Sequence, residues 1–216
     1  MSGVLTGARF AEAVAELVAS DRDLARVVDQ FGPPVPRRRK QGFATLMLLI
    51  LEQQVSLASA RATYRRLEER LGGALEPDRF LALDDAALKG AGLSRQKARY
   101  GRALAGAVAD GGLRLGTLAR LDDDGVRARL TAITGIGAWT ADVYLMMALR
   151  RPDIWPVGDL ALAVAVEKVK RLPARPDQAT LVALGEAWRP WRAVAARILW
   201  HYYLNTIRNQ RGQTPA

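Results

Sequence analysis

Few residue types in this chain can do covalent chemistry, and that scarcity narrows the choice. Cysteine is absent, which removes disulfides, thiolate nucleophiles, Cys-ligated zinc and iron–sulfur clusters. The single histidine, His201, leaves no conventional His-based metal site and no Ser/His/Asp triad. Hydrolysis, if the chain performs it, is expected to rest on a carboxylate. Asp159 stands out because it follows Trp155-Pro-Val-Gly158 and precedes the apolar run Leu160 to Val166. That is the position of a helix N-cap, whose side chain accepts a hydrogen bond from the helix start. Capping and catalysis are compatible, since the cap orients the carboxylate and the helix dipole keeps it ionised.

The second chemical segment is Leu130-Thr-Ala-Ile-Thr-Gly-Ile-Gly-Ala-Trp-Thr-Ala-Asp-Val-Tyr-Leu145. It predicts a short helix ending near Ile133, a tight hairpin over Gly135-Ile136-Gly137, and a second helix opening at Ala138. Two glycines allow positive φ and close approach of the backbone to another molecule, while Ile136 plugs into the core. The N–H groups of the hairpin and of the helix start, through Ala138 and Thr140, then point outward together and suit a phosphate oxygen. An ordinary turn between helices explains a bare Gly-x-Gly equally well. The net charge of +10 and pI of about 10.6 imply an anionic partner, nucleic acid first; a solubility role is the plainer alternative.

The elements that must hold these residues read as helix. Helical spacing runs over residues 10–18, 43–51, 56–71, 84–89, 94–109, 123–130, 138–149, 160–170, 178–187 and 190–208, with a short turn of helix carrying Leu24, Val27 and Val28. Phe31 to Arg39, Phe-Gly-Pro-Pro-Val-Pro-Arg-Arg-Arg, is a connector. Convincing alternating strands are missing, so about ten helices and an all-α fold are expected. No apolar run reaches the ~18 to 20 residues that span a bilayer. The first nineteen residues carry Arg9, Glu12 and Glu16 and lack the apolar stretch of a signal peptide. A cytoplasmic protein is expected, with disorder only after about Asn209.

Four strings, in order along the chain, resemble one family: Leu51-Glu-Gln-Gln-Val-Ser56, Gly92-Leu-Ser-Arg-Gln-Lys-Ala98, Thr134-Gly-Ile-Gly-Ala-Trp-Thr-Ala141 with Asp159 lying 22 residues beyond Gly137, and Trp188-Arg-Pro-Trp-Arg192. They are similar to the helix-hairpin-helix (HhH-GPD) DNA glycosylases, in the AlkA/MAG-type branch that removes alkylated bases. The likeness covers roughly Phe43 to Tyr203. Thr134 stands where the family usually has proline, and Val143 where another aromatic is common.

The resemblance implies a two-lobed all-α glycosylase with its cleft between the lobes, residues 44–150 forming the central lobe and 1–43 with 151–216 the other. Asp159 becomes the catalytic carboxylate. Trp139 and Trp200 become walls of the base pocket, accompanied by Tyr144 and His201, although a lone histidine is more often structural. Trp188 and Trp191 read as core, and Trp155 as core or pocket rim. Gln54 aligns with the residue pushed into the gap left by a flipped nucleotide, beside Gln53, and the Ser94 to Lys97 turn lies near DNA. Bifunctional relatives carry a lysine at the Trp139 position, so a water nucleophile and no strand nicking are implied. The expected partner is duplex DNA with damaged bases, bound by a monomer with no membrane and no cofactor, except for a monovalent cation that hairpin carbonyls can hold. Two rivals stay open: a glycosylase for deaminated or mismatched bases, and a non-catalytic helix-hairpin-helix module that only grips DNA.

Overall fold

The computed structural model describes residues 3–206. Among the described residues there is no strand, and the chain is all-α. In chain order the helices are α1 (Gly7–Ser20), α2 (Arg22–Phe31), α3 (Phe43–Glu52), α4 (Leu57–Leu71), α5 (Pro77–Leu81) and α6 (Asp85–Gly90). There follow α7 (Arg95–Ala109), a 3-10 helix (Leu115–Arg120), α8 (Asp123–Thr131), α9 (Ala138–Met147), α10 (Leu160–Val169), α11 (Gln178–Glu186) and α12 (Arg192–Asn205). The five-residue α5 and the 3-10 turn were not expected from the sequence, being too short for a 3.6-residue periodicity to register. The end of the helix expected over 190–208, and the tail after Asn209, lie outside the described residues.

Helix starts follow side-chain chemistry. Thr6, Asp21, Ser56, Asp84, Ser94, Asp122, Asp159 and Asp177 each accept a hydrogen bond from a first-turn N–H of the helix they precede. Each such cap is worth on the order of 1 kcal/mol. Residues 32–42 are free of helix, as three prolines within four residues require.

The chain divides into two compact units, Arg39–Leu149 and a second made of Met1–Arg38 with Arg150–Ala216. At the centre of the first lies α3, apolar all round, with eight of its ten residues buried, which marks a helix enclosed by others. Helices α4, α7 and α9 pack on it. Helix α7 comes close because residue 101 is glycine; a Cβ there would stand 2.6 Å from the Phe80 ring and 2.8 Å from Met47.

The second unit is built round α12, where Ala193 through Leu199 are all buried. Its alanines let α1, α2 and α10 pack against it. Asp21 ties the unit together: besides capping α2, its carboxylate accepts from Lys170 Nζ at 2.6 Å and from Trp188 Nε1 at 2.8 Å. These bonds hold its pKa below the usual carboxylate value even though burial opposes them. Arg197, 7% exposed, donates to the Arg37 carbonyl at 2.7 Å and so pins the Pro-rich connector. Burial and the neighbouring Arg38 pull its guanidinium down to about 10, still charged at neutral pH.

Candidate active site

The unit containing α10 holds the carboxylate. Asp159 caps that helix with extended backbone (φ −83°, ψ 115°), and its Oδ1 accepts from the Leu162 N–H at 2.7 Å. The indole Nε1 of Trp200 donates to the same oxygen at 3.1 Å. The helix start and the indole together fix the direction of the carboxylate. The preceding loop is a compact turn in which the Val157 and Asp159 N–H groups donate back to Trp155 and Pro156 at 3.0 Å each. Asp159 also lines an open cavity of about 220 Å³ with Val157, Ala163, Pro176, Gln178 and the 64%-exposed Leu160.

The tryptophans divide cleanly. Trp155 is 5% exposed, donates to the Leu181 carbonyl at 2.8 Å and meets Trp188 edge-on at 5.1 Å between centroids. A Cβ at Gly185 would collide with its ring at 2.8 Å, so Trp155 is core. Trp188 and Trp191 are also buried. Trp200 is half-buried and bonded to the carboxylate. His201 is half-buried and has partners of its own: Nε2 lies 3.1 Å from the Phe31 carbonyl and Nδ1 lies 3.3 Å from the Asn205 amide. With both ring nitrogens engaged, His201 serves the packing of α12 on α2.

The other unit holds the hairpin. The Ile136 N–H donates to the Ile133 carbonyl at 3.0 Å, and the Ile136 side chain is 4% exposed. Gly135 adopts φ +94°, and a Cβ there would lie 2.1 Å from the Tyr100 ring; both the dihedral and the space demand glycine. Gly137 differs. Its φ is −93°, nothing stands within 4 Å of a Cβ built on it, and it is exposed, so the fold itself does not require glycine there. Helix α9 opens from Gly137 with no side-chain cap, and Ala138 is exposed while Trp139 is half-buried.

Of the residues expected at the DNA or in the pocket, Tyr144 and Thr140 are buried, and Gln53 and Lys97 are half-buried and bonded within the protein. Tyr144 is fully buried and its hydroxyl accepts from the Gly42 N–H at 3.1 Å; burial pushes its pKa up, with the Gly42 bond opposing. It is a core residue and not a pocket wall. Thr140 is 1% exposed, and its hydroxyl accepts from Gln53 Nε2 at 3.1 Å. The Gln53 amide donates as well to the Gly135 carbonyl at 2.9 Å, using a hairpin carbonyl that had been a candidate cation ligand. Lys97 is turned inward: its ammonium donates to the Leu51 carbonyl at 2.6 Å, and burial lowers its pKa. A cation against the last carbonyls of α3 complements the helix dipole. Ser94 is exposed and caps α7 through the Lys97 N–H at 3.2 Å.

Gln54 remains at the surface. It is exposed and takes φ +56°, a left-handed conformation costing a non-glycine residue on the order of 1 kcal/mol. Two supporting features were not anticipated. Arg39 Nη2 reaches both Glu52 oxygens, at 2.8 and 2.9 Å, with the Glu52 side chain 3% exposed. Tyr100 packs on the hairpin, its hydroxyl held by Gln96 at 2.7 Å. A glutamate ending an otherwise apolar helix is a signal of a paired buried charge; its partner cannot be read from spacing. Among the described residues no cluster of three or more His, Cys, Asp or Glu side chains could hold a metal ion. No helix among them is long and apolar enough to cross a membrane.

Comparison with known proteins places this arrangement. A family model described as HhH-GPD superfamily base excision DNA repair protein matches residues 47–190. Over 201 residues the chain is 35% identical to a Mycobacterium tuberculosis protein named "Probable bifunctional transcriptional activator/DNA repair enzyme AlkA", covering 88% of this chain and 39% of that one. The solved structure of Schizosaccharomyces pombe 3-methyladenine DNA glycosylase in complex with abasic DNA superposes with a TM-score of 0.82 at 27% identity, covering 88% of this chain and 95% of that one. That of a Bacillus halodurans DNA-3-methyladenine glycosidase gives a TM-score of 0.75 at 33% identity, covering 92% and 91%. The chain spans about half the length of the first curated relatives it matches, 56% and 39%. With a model match across most of its length and a solved relative aligned almost end to end, the chain belongs to the HhH-GPD superfamily of base excision DNA repair proteins.

Proposed function

We propose that this chain is a monofunctional DNA glycosylase that hydrolyses the N-glycosidic bond of alkylated purines, of the 3-methyladenine and 7-methylguanine type, in duplex DNA. The observation that carries the reading is Asp159 held at the N-terminus of α10 by Leu162 N–H and Trp200 Nε1. An alkylated purine bears positive charge, so it departs as a neutral base with the electrons of the C1′–N bond. The sugar is left with oxocarbenium character, which a fixed carboxylate stabilises. Water then adds at C1′ and its proton passes to the carboxylate or to solvent. The half-buried ring of Trp200, bonded to that carboxylate, suits a flipped cationic base, such a contact being worth on the order of 1 to 2 kcal/mol when desolvated. Gly137, exposed and unfilled, together with the uncapped start of α9, suits a backbone phosphate.

Support for the monofunctional reading comes from position 139 and from the two lysines on and just after α10. Position 139 is tryptophan and cannot form an imine. Lys168 lies about 13 Å along α10 from Asp159 at 1.5 Å per residue and pairs with Glu167, while Lys170 is bonded to Asp21 and Asp23. The test is base release from duplexes carrying a panel of alkylated, deaminated and mismatched bases, run with borohydride present. Release confined to alkylated purines, with an intact abasic strand and no trapped adduct, is expected. Release of deaminated bases alone would overturn the substrate, and stoichiometric trapping would overturn the monofunctional assignment.

A further inference from the structure

The three residues that lead into Gln54 are each anchored to a different element. The Leu51 carbonyl takes the Lys97 ammonium of α7, the Glu52 carboxylate takes Arg39, and the Gln53 amide donates to Gly135 O and Thr140 Oγ1 of the hairpin and α9. The next two residues, Gln54 and Val55, are exposed, and α4 begins almost at once with Ser56 as its cap. Helix α7 supports both sides of this arrangement. Lys97 reaches the end of α3, and Tyr100, one turn on and on the same face, backs Gly135. A left-handed glutamine persists only where its surroundings over-determine it, and these anchors supply that constraint.

We infer that Gln53 and Lys97 are positioning residues: they lock the loop to the hairpin so that Gln54 and the phosphate grip form one preorganised body, and Gln54 enters the duplex without a separate ordering step. This rests on the glycosylase reading and on Gln54 as the inserted residue. The cost of extruding a base is met partly by what fills its place, and a loop that must first be ordered fills it less well. Neither Gln53 nor Lys97 needs to touch DNA for this.

The experiment is a double-mutant cycle on single-turnover release of 7-methylguanine from a paired duplex, with active fractions normalised by burst amplitude. Gln54→Ala and Gln53→Ala should each slow release about tenfold, and their combination should be no slower than Gln54→Ala alone. Lys97→Met should behave like Gln53→Ala, and Lys97→Arg, which keeps a donor for the Leu51 carbonyl, should recover most of the rate. Placing the lesion in a mismatch, where extrusion is cheaper, should shrink the Gln53→Ala defect to about twofold or less. If Gln53→Ala fails to fold, Gln53→Met keeps the volume and carries the same cycle. Additive losses, or an equal loss on paired and mismatched substrates, would overturn positioning while leaving the glycosylase reading intact. A wild-type protein that releases no alkylated base would overturn both.

Discussion

The unit that carries Asp159 and the unit that carries the hairpin hold their candidate residues in different ways. Around Asp159 the structure joins a carboxylate to its own helix start and to the Trp200 indole, beside an open cavity. Around the hairpin it is redundant, with Gln53, Thr140, Tyr100, Lys97, Glu52 and Arg39 all engaged with one another or with backbone. Chemistry at a glycosidic carbon needs one correctly aimed charge with room for a sugar and water beside it. A grip on DNA needs backbone N–H groups held at a fixed spacing, and a backbone is held only by many neighbours. On the proposed function, the contrast predicts that loss of Asp159 removes the reaction and that loss of a hairpin anchor removes the geometry.

Replacing the carboxylate should break this comparison most sharply. Asp159→Asn keeps an oxygen that can cap α10 and accept from Trp200, so melting temperature and DNA affinity should stay close to wild type. Single-turnover base release should fall about 100-fold or more, equivalent to about 2.7 kcal/mol of barrier. Near-normal release would remove Asp159 from the chemistry.

Within the hairpin the two glycines should part company. Gly135→Ala meets both a forbidden dihedral and the Tyr100 ring, and should destabilise the protein by about 2 kcal/mol or more, with loss of DNA binding. Gly137→Val has ordinary φ and open space, so denaturation should be nearly unchanged while affinity drops several-fold on every duplex sequence alike. A log–log salt dependence shallower by roughly one phosphate, a slope change of about 0.9, should accompany it. Unaltered binding by Gly137→Val would mean that nothing approaches the backbone there.

The smallest effect is assigned to Tyr144. Tyr144→Phe leaves the Gly42 N–H without its acceptor and should cost about 1 kcal/mol of stability, readable by urea denaturation. Release of alkylated purine should be unaffected. A changed lesion preference in that variant would return Tyr144 to the pocket.

The features of this protein that depend on near neighbours are legible along the chain. Helix starts could be read from Thr, Ser and Asp at the caps, the break at residues 32–42 from its prolines, and the hairpin from Gly135 to Gly137, because these rest on backbone dihedrals and hydrogen bonds spanning three or four residues. Asp159 was legible for the same reason, as a cap whose chemical environment is partly its own helix. Which polar side chains turn inward depends instead on partners far away in the chain. Gln53, Lys97, Thr140 and Tyr144 have the composition of a surface or a pocket. Yet each is bonded to a group 46 to 102 residues away in the chain, and a polar group withdrawn wholly or partly from water is tolerated only where such a partner stands. No local pattern encodes that meeting, so a residue beside a functional motif can be indistinguishable in sequence from one that serves only to hold it.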